Sequence, residues 1–185
     1  NSVIGIDFSA QELVQYSVAS GAELNRFTVV DRPSKLMGTR ANGTEVVYMG
    51  YDNNQAQKVF VWDISTNTLA RTVALAPEAY VWEARLSHDG NRLGIPTWNQ
   101  KTYFYDMSNG QLISEVTSSM NGARSLAIAM EPSSTQFVMQ TNDKNAMLPP
   151  ALYNMINGSL LRFLPSPTNG QFMSFAYSGN GSKLA

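Results

Sequence analysis

The chain has 185 residues, enough for one substantial core, with 43% hydrophobic and 15% charged residues. Thirteen basic against fourteen acidic residues leave a net charge of -1 with no dense run of either sign. That argues against a nucleic-acid binder, which needs a positive patch to displace counterions, and against a polybasic membrane-surface module. Cysteine is absent, which removes disulfides, thiolate nucleophiles and zinc–thiolate sites without assigning a compartment. No apolar run has the length to span a bilayer, and no segment has the charged start and continuous apolar core of a signal peptide. The chain opens on Asn1 rather than Met, which leaves room for an upstream signal or further domains.

In chain order the elements are short strands separated by turns. A first unit over 1–30 holds Leu13-Val14-Gln15-Tyr16, a turn at Gly21, and a strand from Leu24 to Phe27. A second, over 35–75, begins with the tight turn Asn42-Gly43 into Glu45-Val46-Val47. It continues through Lys58-Val59-Phe60-Val61-Trp62-Asp63 to a strand opening on Leu69. The third, over 80–118, is the clearest, with strands expected at Val81–Leu86, Arg92–Thr97, Thr102–Met107 and Leu112–Thr117. A fourth, over 123–165, carries Pro132-Ser133-Ser134 in place of the Gly turn and ends through Tyr153-Asn154 and Asn157-Gly158. A partial fifth, over 171–185, closes on Gly179-Asn180-Gly181. Asn-Gly and Asp-Gly tolerate the positive φ that two-residue hairpin turns demand.

Both turn signals recur at intervals of about 45 residues, close to the ~40–50-residue period of a propeller blade. The predicted fold is therefore all-β: a β-propeller of four-stranded antiparallel blades, strands a to d, with about four repeats present in one domain over 1–185. A lone blade cannot bury both faces, so each needs a neighbour on either side. Aligning Gly5-Ile6 on Gly94-Ile95 puts Tyr16 on Tyr105 and Asn1 opposite Gly90. On that alignment the chain runs b, c, d, then three full blades, then a and the start of b. The expectation is a fragment of a larger propeller; the alternative is a four-blade ring closed by the C-terminal strand a.

Val61-Trp62-Asp63 with Ser65-Thr66-Asn67 resembles the end of a WD40 repeat, and Leu86-Ser87-His88-Asp89-Gly90 resembles the a–b turn of that superfamily. Tyr105-Asp106 and Tyr153-Asn154 look like degenerate Trp-Asp pairs. The Gly-His pair that precedes strand a in WD40 repeats is missing, so the tetrad built on that histidine cannot form. The chain looks more like the wider WD40-like group that includes the YVTN and quinoprotein-like propellers. The resemblance implies a scaffold whose loops on one face recognise partners.

Catalysis has little material. His88 is the one histidine; beside Ser87 and Asp89 it imitates a triad in composition, but three adjacent residues of a tight turn are poor geometry for one. No Walker-type phosphate loop, calcium loop or metal-ligand spacing occurs. Asp52-Asn53-Asn54 reads as a polar b–c loop before a weak cation site. The aromatic residues Phe60, Trp62, Tyr103, Tyr105 and Tyr153 read as packing between blades. The sequons at Asn42, Asn157 and Asn180 fall in hairpin turns that favour Asn-Gly for backbone reasons.

Two features stand out. Glu83 and Arg85 interrupt strand-a columns otherwise filled by Ala127, Ser174, Ala129 and Ala176. Two apart in a strand, they share a face and read as an ion pair or as a charged patch on the channel wall. The b–c connections Tyr51–Lys58 and Thr141–Pro150 are longer than those of the other repeats. The candidate binding residues are accordingly Tyr51, Asn53, Asn54, Glu83, Arg85, Trp98, Asn142, Asp143, Lys144 and Met147. No catalytic, metal-binding or cofactor-binding residue is expected. The function expected is non-enzymatic: a platform for protein or peptide partners, without nucleic acid or membrane insertion, with edge-mediated self-association or missing blades in view. The alternative is the propeller portion of a larger enzyme, a quinoprotein-like oxidoreductase or a peptidase-gating propeller, whose catalytic residues lie outside this chain. A purely structural module is a third reading.

Overall fold

The computed structural model describes residues 1–40, 42–76, 84–97, 101–117, 124–133, 135–143, 146–147, 149–165 and 174–185. Among them there is no helix, and hence none long and apolar enough to cross a membrane. The strands pair in chain order into four antiparallel sheets. The first sheet holds β1 (Ser2–Asp7), β2 (Glu12–Ser17) and β3 (Glu23–Thr28). The second holds β4 (Arg32–Thr39), β5 (Glu45–Tyr51), β6 (Gln57–Asp63) and β7 (Thr68–Val73). In the third are β8 (Arg85–Leu86), β9 (Arg92–Pro96), β10 (Lys101–Asp106) and β11 (Leu112–Thr117). The fourth runs β12 (Arg124–Met130), β13 (Gln136–Asp143), β15 (Ala151–Asn154), β16 (Leu160–Phe163), with β14 (Ala146–Met147) folded back on the end of β13. Each is the up-and-down meander of a propeller blade. The chain divides into two compact units, Asn1–Leu75 and Ala76–Ala185.

The turns show why these sequences make this meander. At the a–b corners the same bond recurs, Arg40 N–H to Glu45 O, Ser87 to Arg92, Glu131 to Gln136 and Ser178 to Lys183, at 2.9–3.0 Å. Gly43, Gly90 and Gly181 sit there at φ 72°, 68° and 73°, where a Cβ would be strained. At the c–d corners, Gly21, Gly110 and Gly158 take φ 70–76°, and Asn67 adopts φ 55° where the second sheet lacks the glycine. Short polar side chains finish the corners. Asp63 accepts from the Ser65 amide and hydroxyl at 2.8 and 2.6 Å, and Asp106 does the same with Ser108. Asn154 takes the place of the acid, accepting from the Ile156 amide at 2.8 Å. A further amide bond ties each c–d corner to the a–b corner: Val18 to Asn1, Ile64 to Thr44, Met107 to Asn91 and Met155 to Thr135. In every sheet the c–d ladder carries a bulge just before the marked aromatic position.

Those bonds also correct the alignment of the first repeat by one residue. Asn1 holds the place of Asn91, not Gly90, and Gly5 pairs with Val14 as Ile95 pairs with Tyr103. The b–c turn of the first sheet is one residue longer than that of the third, Ile6 pairing with Leu13 where Pro96 pairs with Thr102, which slides β1 against the sequence match.

Central strands are buried almost throughout, β5 and β10 above all, whereas the outer strands β3, β7, β11 and β16 are largely exposed. In the first unit, Leu13 and Phe27 of the first sheet pack on Val46, Tyr48, Phe60 and Trp62 of the second. Tyr48 stacks on Phe60 with ring centroids 5.2 Å apart. In the second unit, Phe104 and Val116 meet Ile128, Met130, Phe137, Met139, Tyr153 and Met155. The other face of the fourth sheet, Ala129, Val138 and Leu152, is covered by Phe175, Tyr177 and Leu184. The aromatic residues Phe60, Trp62, Tyr103, Tyr105 and Tyr153 are all buried.

Candidate functional site

The b–c loop of the second sheet is folded on one carboxylate. Asp52 accepts from the amides of Asn54 at 2.8 Å and Ala56 at 3.0 Å, and pairs with Lys58 Nζ at 2.7 Å. Lys58 and these amides hold the Asp52 carboxyl below the usual carboxylate range, and Asp52 in turn pushes the Lys58 ammonium up. Gln55 closes the turn at φ 62°, its amide bonded to Asp52 O, and its side chain accepts from the Arg32 guanidinium. Tyr51 is half-buried and its hydroxyl accepts from Gln57 Nε2 at 3.0 Å. Asn53 and Asn54 stand exposed at the tip. The place a cation would take beside Asp52 is filled by Lys58, so the loop is a fixed turn displaying two amides.

The other long connection departs from the expected loop. Strand β13 continues through Asp143 and pairs with β14, Asn142 opposite Met147. Pro150 is buried, and its carbonyl accepts from Leu164 N–H at 2.7 Å. Pro150 thus joins the sheet, while Pro149 stays exposed beside it. Glu83, Trp98 and Lys144 lie outside the described residues. Arg85 is half-buried on β8 and lines a cleft of roughly 180 Å³ with His88, Ile128, Phe175 and Tyr177. Of the predicted residues, Tyr51, Asn53 and Asn54 thus belong to one loop of the first unit, Arg85 to an inner-strand cleft of the second, and Asn142, Asp143 and Met147 to the paired strands β13 and β14.

The composition of a triad does not become its geometry. Ser87 is buried, its hydroxyl donates to Asp89 at 2.6 Å, and it accepts the Arg92 amide at 2.9 Å. Burial pushes the Asp89 carboxyl up, but the bonds from Ser87 and Asn91 outweigh it and leave the group below its ordinary value. His88 is exposed. Asp7, Glu12 and Glu23 converge on Arg26 at 2.8–2.9 Å, so a guanidinium already fills their centre. No group of three or more potential metal ligands occurs among the described residues. The sequon side chains cap turns: Asn42 accepts from Thr44, Asn157 from Ser159 and Asn180 from Ser182.

A second cleft was missed by the sequence reading. Arg162, Leu152, Leu164, Tyr177, Lys183 and Leu184 are among the residues lining a space of roughly 270 Å³ between the fourth sheet and the C-terminal ribbon. Burial pushes the Tyr177 hydroxyl up. The available signal was the match of the turn Asn180-Gly181-Ser182-Lys183-Leu184 to Asp89-Gly90-Asn91-Arg92-Leu93, which aligns Lys183 with Arg92.

No family model matches the sequence, and no curated protein does. The structure is similar to many solved chains, 1139 in all, and a fold shared this widely hosts unrelated chemistries. One is Kuenenia stuttgartiensis hydrazine synthase, a β-propeller-containing protein, with a TM-score of 0.68 and 12% identity. The match covers 99% of this chain and 51% of that one, so the chain spans about half its length. This likeness shows a propeller-like fold.

Proposed function

We propose that the chain is a non-enzymatic propeller-type platform that binds a protein or peptide partner through the second-sheet b–c loop. The observation that carries this reading is the Asp52 clamp. A turn whose backbone is already fixed loses little conformational entropy on binding, so Asn53 and Asn54 are presented at low cost. Arg32 and Lys58 are held at the base of the same turn by Gln55 and Asp52. Kinship with the WD40-like and YVTN-like propellers is part of this proposal; it is supported by the Trp62-Asp63 and Tyr105-Asp106 marks at equivalent corners. A photo-crosslinker at Asn54 should capture a discrete partner, while one at Thr66, exposed at a c–d corner, should not. Replacing Asn53 and Asn54 by Gly and Ser should reduce binding of that partner with the fold unchanged. Equal capture at both positions would remove the loop as the site.

The likeness to hydrazine synthase, itself an enzyme by name, favours a second reading: the propeller portion of a larger enzyme. Its catalytic residues would then lie outside this chain. A full-length reading frame encoding a redox or hydrolytic domain beside this one would establish that alternative.

A further inference from the structure

Three connections meet at one end of the first unit. Asp7 pairs with Glu12 across the first b–c turn, and Glu12 with Thr28, so that turn and the exit of β3 lie together. The link 29–31 leads from there into β4, whose Arg32 pairs with Tyr51 at the mouth of the second b–c loop. The recurring corner bonds make Asn1, Thr44 and Asn91 equivalent. Seven residues beyond each stands an aromatic residue, Phe8, Tyr51 and Trp98, where the fourth repeat has Asn142. An aromatic residue at the entry to the b–c connection is therefore a mark of the repeat.

In the first unit this mark is not spent on the core. Phe8 is 68% exposed and Val30 61%, while their neighbours Ile6 and Val29 pack with Leu13 and Phe27 against the second sheet. Both stand in closed connections between paired strands. The turn does not need the phenyl ring, because Asp7 already caps it by accepting from the Ser9 and Ala10 amides at 3.1 Å. The charges beside this apolar pair are not all matched. Arg26 is held by Asp7 and Glu12, Arg32 by Gln55 and Lys58 by Asp52. Asp31, half-buried between Val30 and Arg32 in the chain, forms no ion pair among the described residues. Its charge acts on both Lys58 and the buried Tyr48 hydroxyl, which puts it at the base of the second b–c loop. That hydroxyl has no partner of its own among the described residues.

We propose that Phe8, Val30 and Asp31 form a docking surface for a basic segment of the partner protein, an Arg or Lys flanked by apolar residues. The apolar residues cover Phe8 and Val30, and the cation supplies the counter-charge that Asp31 lacks within the unit. A cation brought beside an exposed phenyl ring gains a further attraction from the ring face, and an aromatic anchor next to a charge is the usual make-up of an interface hot spot. This rests on the platform reading and names the chemistry of its partner, since the surface shares an end of the unit with Asn53 and Asn54.

The test uses the whole chain with two labelled peptides, acetyl-Gly-Leu-Arg-Leu-Gly-amide and the same peptide with Glu in place of Arg. Fluorescence anisotropy should show the Arg peptide binding about ten-fold tighter. Asp31→Asn, nearly isosteric, should bring the two affinities within about two-fold of each other. Phe8→Ser, an exposed change, should weaken the Arg peptide about five-fold with the unfolding midpoint unchanged. Binding of neither peptide, equal affinities, a preference that survives Asp31→Asn, or no effect of Phe8→Ser would overturn the proposal. So would a dimer of the chain that Phe8→Ser dissolves, which would assign the surface to a second copy. Equal peptide affinities with crosslinking at Asn54 intact would leave the platform reading standing. Loss of that crosslinking with the Arg preference intact would leave this surface standing without the second-sheet loop.

Discussion

The second and third sheets are built on the same meander but settle their buried polar atoms differently. Tyr105 in the third sheet accepts the Ala76 amide at 3.0 Å. Tyr48 in the second is fully buried, and its hydroxyl has no partner among the described residues; nor has the Trp62 indole N–H. Burial, reinforced by the charge of Asp31, pushes the Tyr48 phenol far above its ordinary value. At the a–b corner the second sheet buries Glu45 against Arg40 and Arg71, where the third has a half-exposed Arg92–Asp106 pair. A repeat thus conserves its backbone bonds while each copy finds its own compensation for polar side chains.

The largest effect should come from that corner. Glu45→Ala leaves two half-buried guanidinium groups without their shared acid and should cost about 3 kcal/mol in denaturant unfolding. Arg92→Ala should cost no more than about 0.5 kcal/mol, because its pair is solvent-screened. Next comes backbone space. A Cβ on Gly50 would lie 2.6 Å from the Arg32 carbonyl oxygen, whereas one on Gly94 would meet the ends of Ile128 and Phe104 at 3.0 Å. Gly50→Ala should therefore cost about 2 kcal/mol, and Gly94→Ala less than about 1 kcal/mol, since side chains yield more readily than backbone.

The same substitution should then have opposite signs in the two sheets. Tyr105→Phe strands the Ala76 amide and should cost about 1 kcal/mol, while Tyr48→Phe removes an unpaired hydroxyl and should be neutral or stabilising by up to about 1 kcal/mol. Equal losses from both would show that the contrast is wrong. The smallest effect concerns pH. Asp52 is held low by Lys58 and two amides. Its stabilising contribution is present above the unfolded carboxylate value of ~3.9 and is lost as pH falls through the lower folded value. Asp52→Asn should flatten that acid limb of the unfolding midpoint, and no change in slope would remove the clamp from the account.

Much of the fold could be read from turn chemistry. Asn42-Gly43, Asp89-Gly90, Asn180-Gly181, Asn109-Gly110 and Asn157-Gly158 need positive φ, and their spacing placed the corners before any packing was known. The first repeat was misaligned by one residue because Gly5 resembles Gly94 in sequence, while backbone bonds, not residue type, set register. The loop residues of the candidate site were legible as a polar insertion, but Asp52 as its clamp was not. That role depends on Lys58 folding back, which no spacing rule specifies.

By itself the sequence determined the local geometry of this protein. Short strands, their order and their corners follow from φ preferences and from the period of the polar marks, which act over a few residues. The tertiary structure decided what lies far apart in the chain: which aromatic hydroxyl finds an amide and which does not, and how Leu152, Leu164 and Lys183 come to border one cleft. Those outcomes depend on how one sheet stacks on the next, a packing problem in which side-chain shape and burial outweigh local preference.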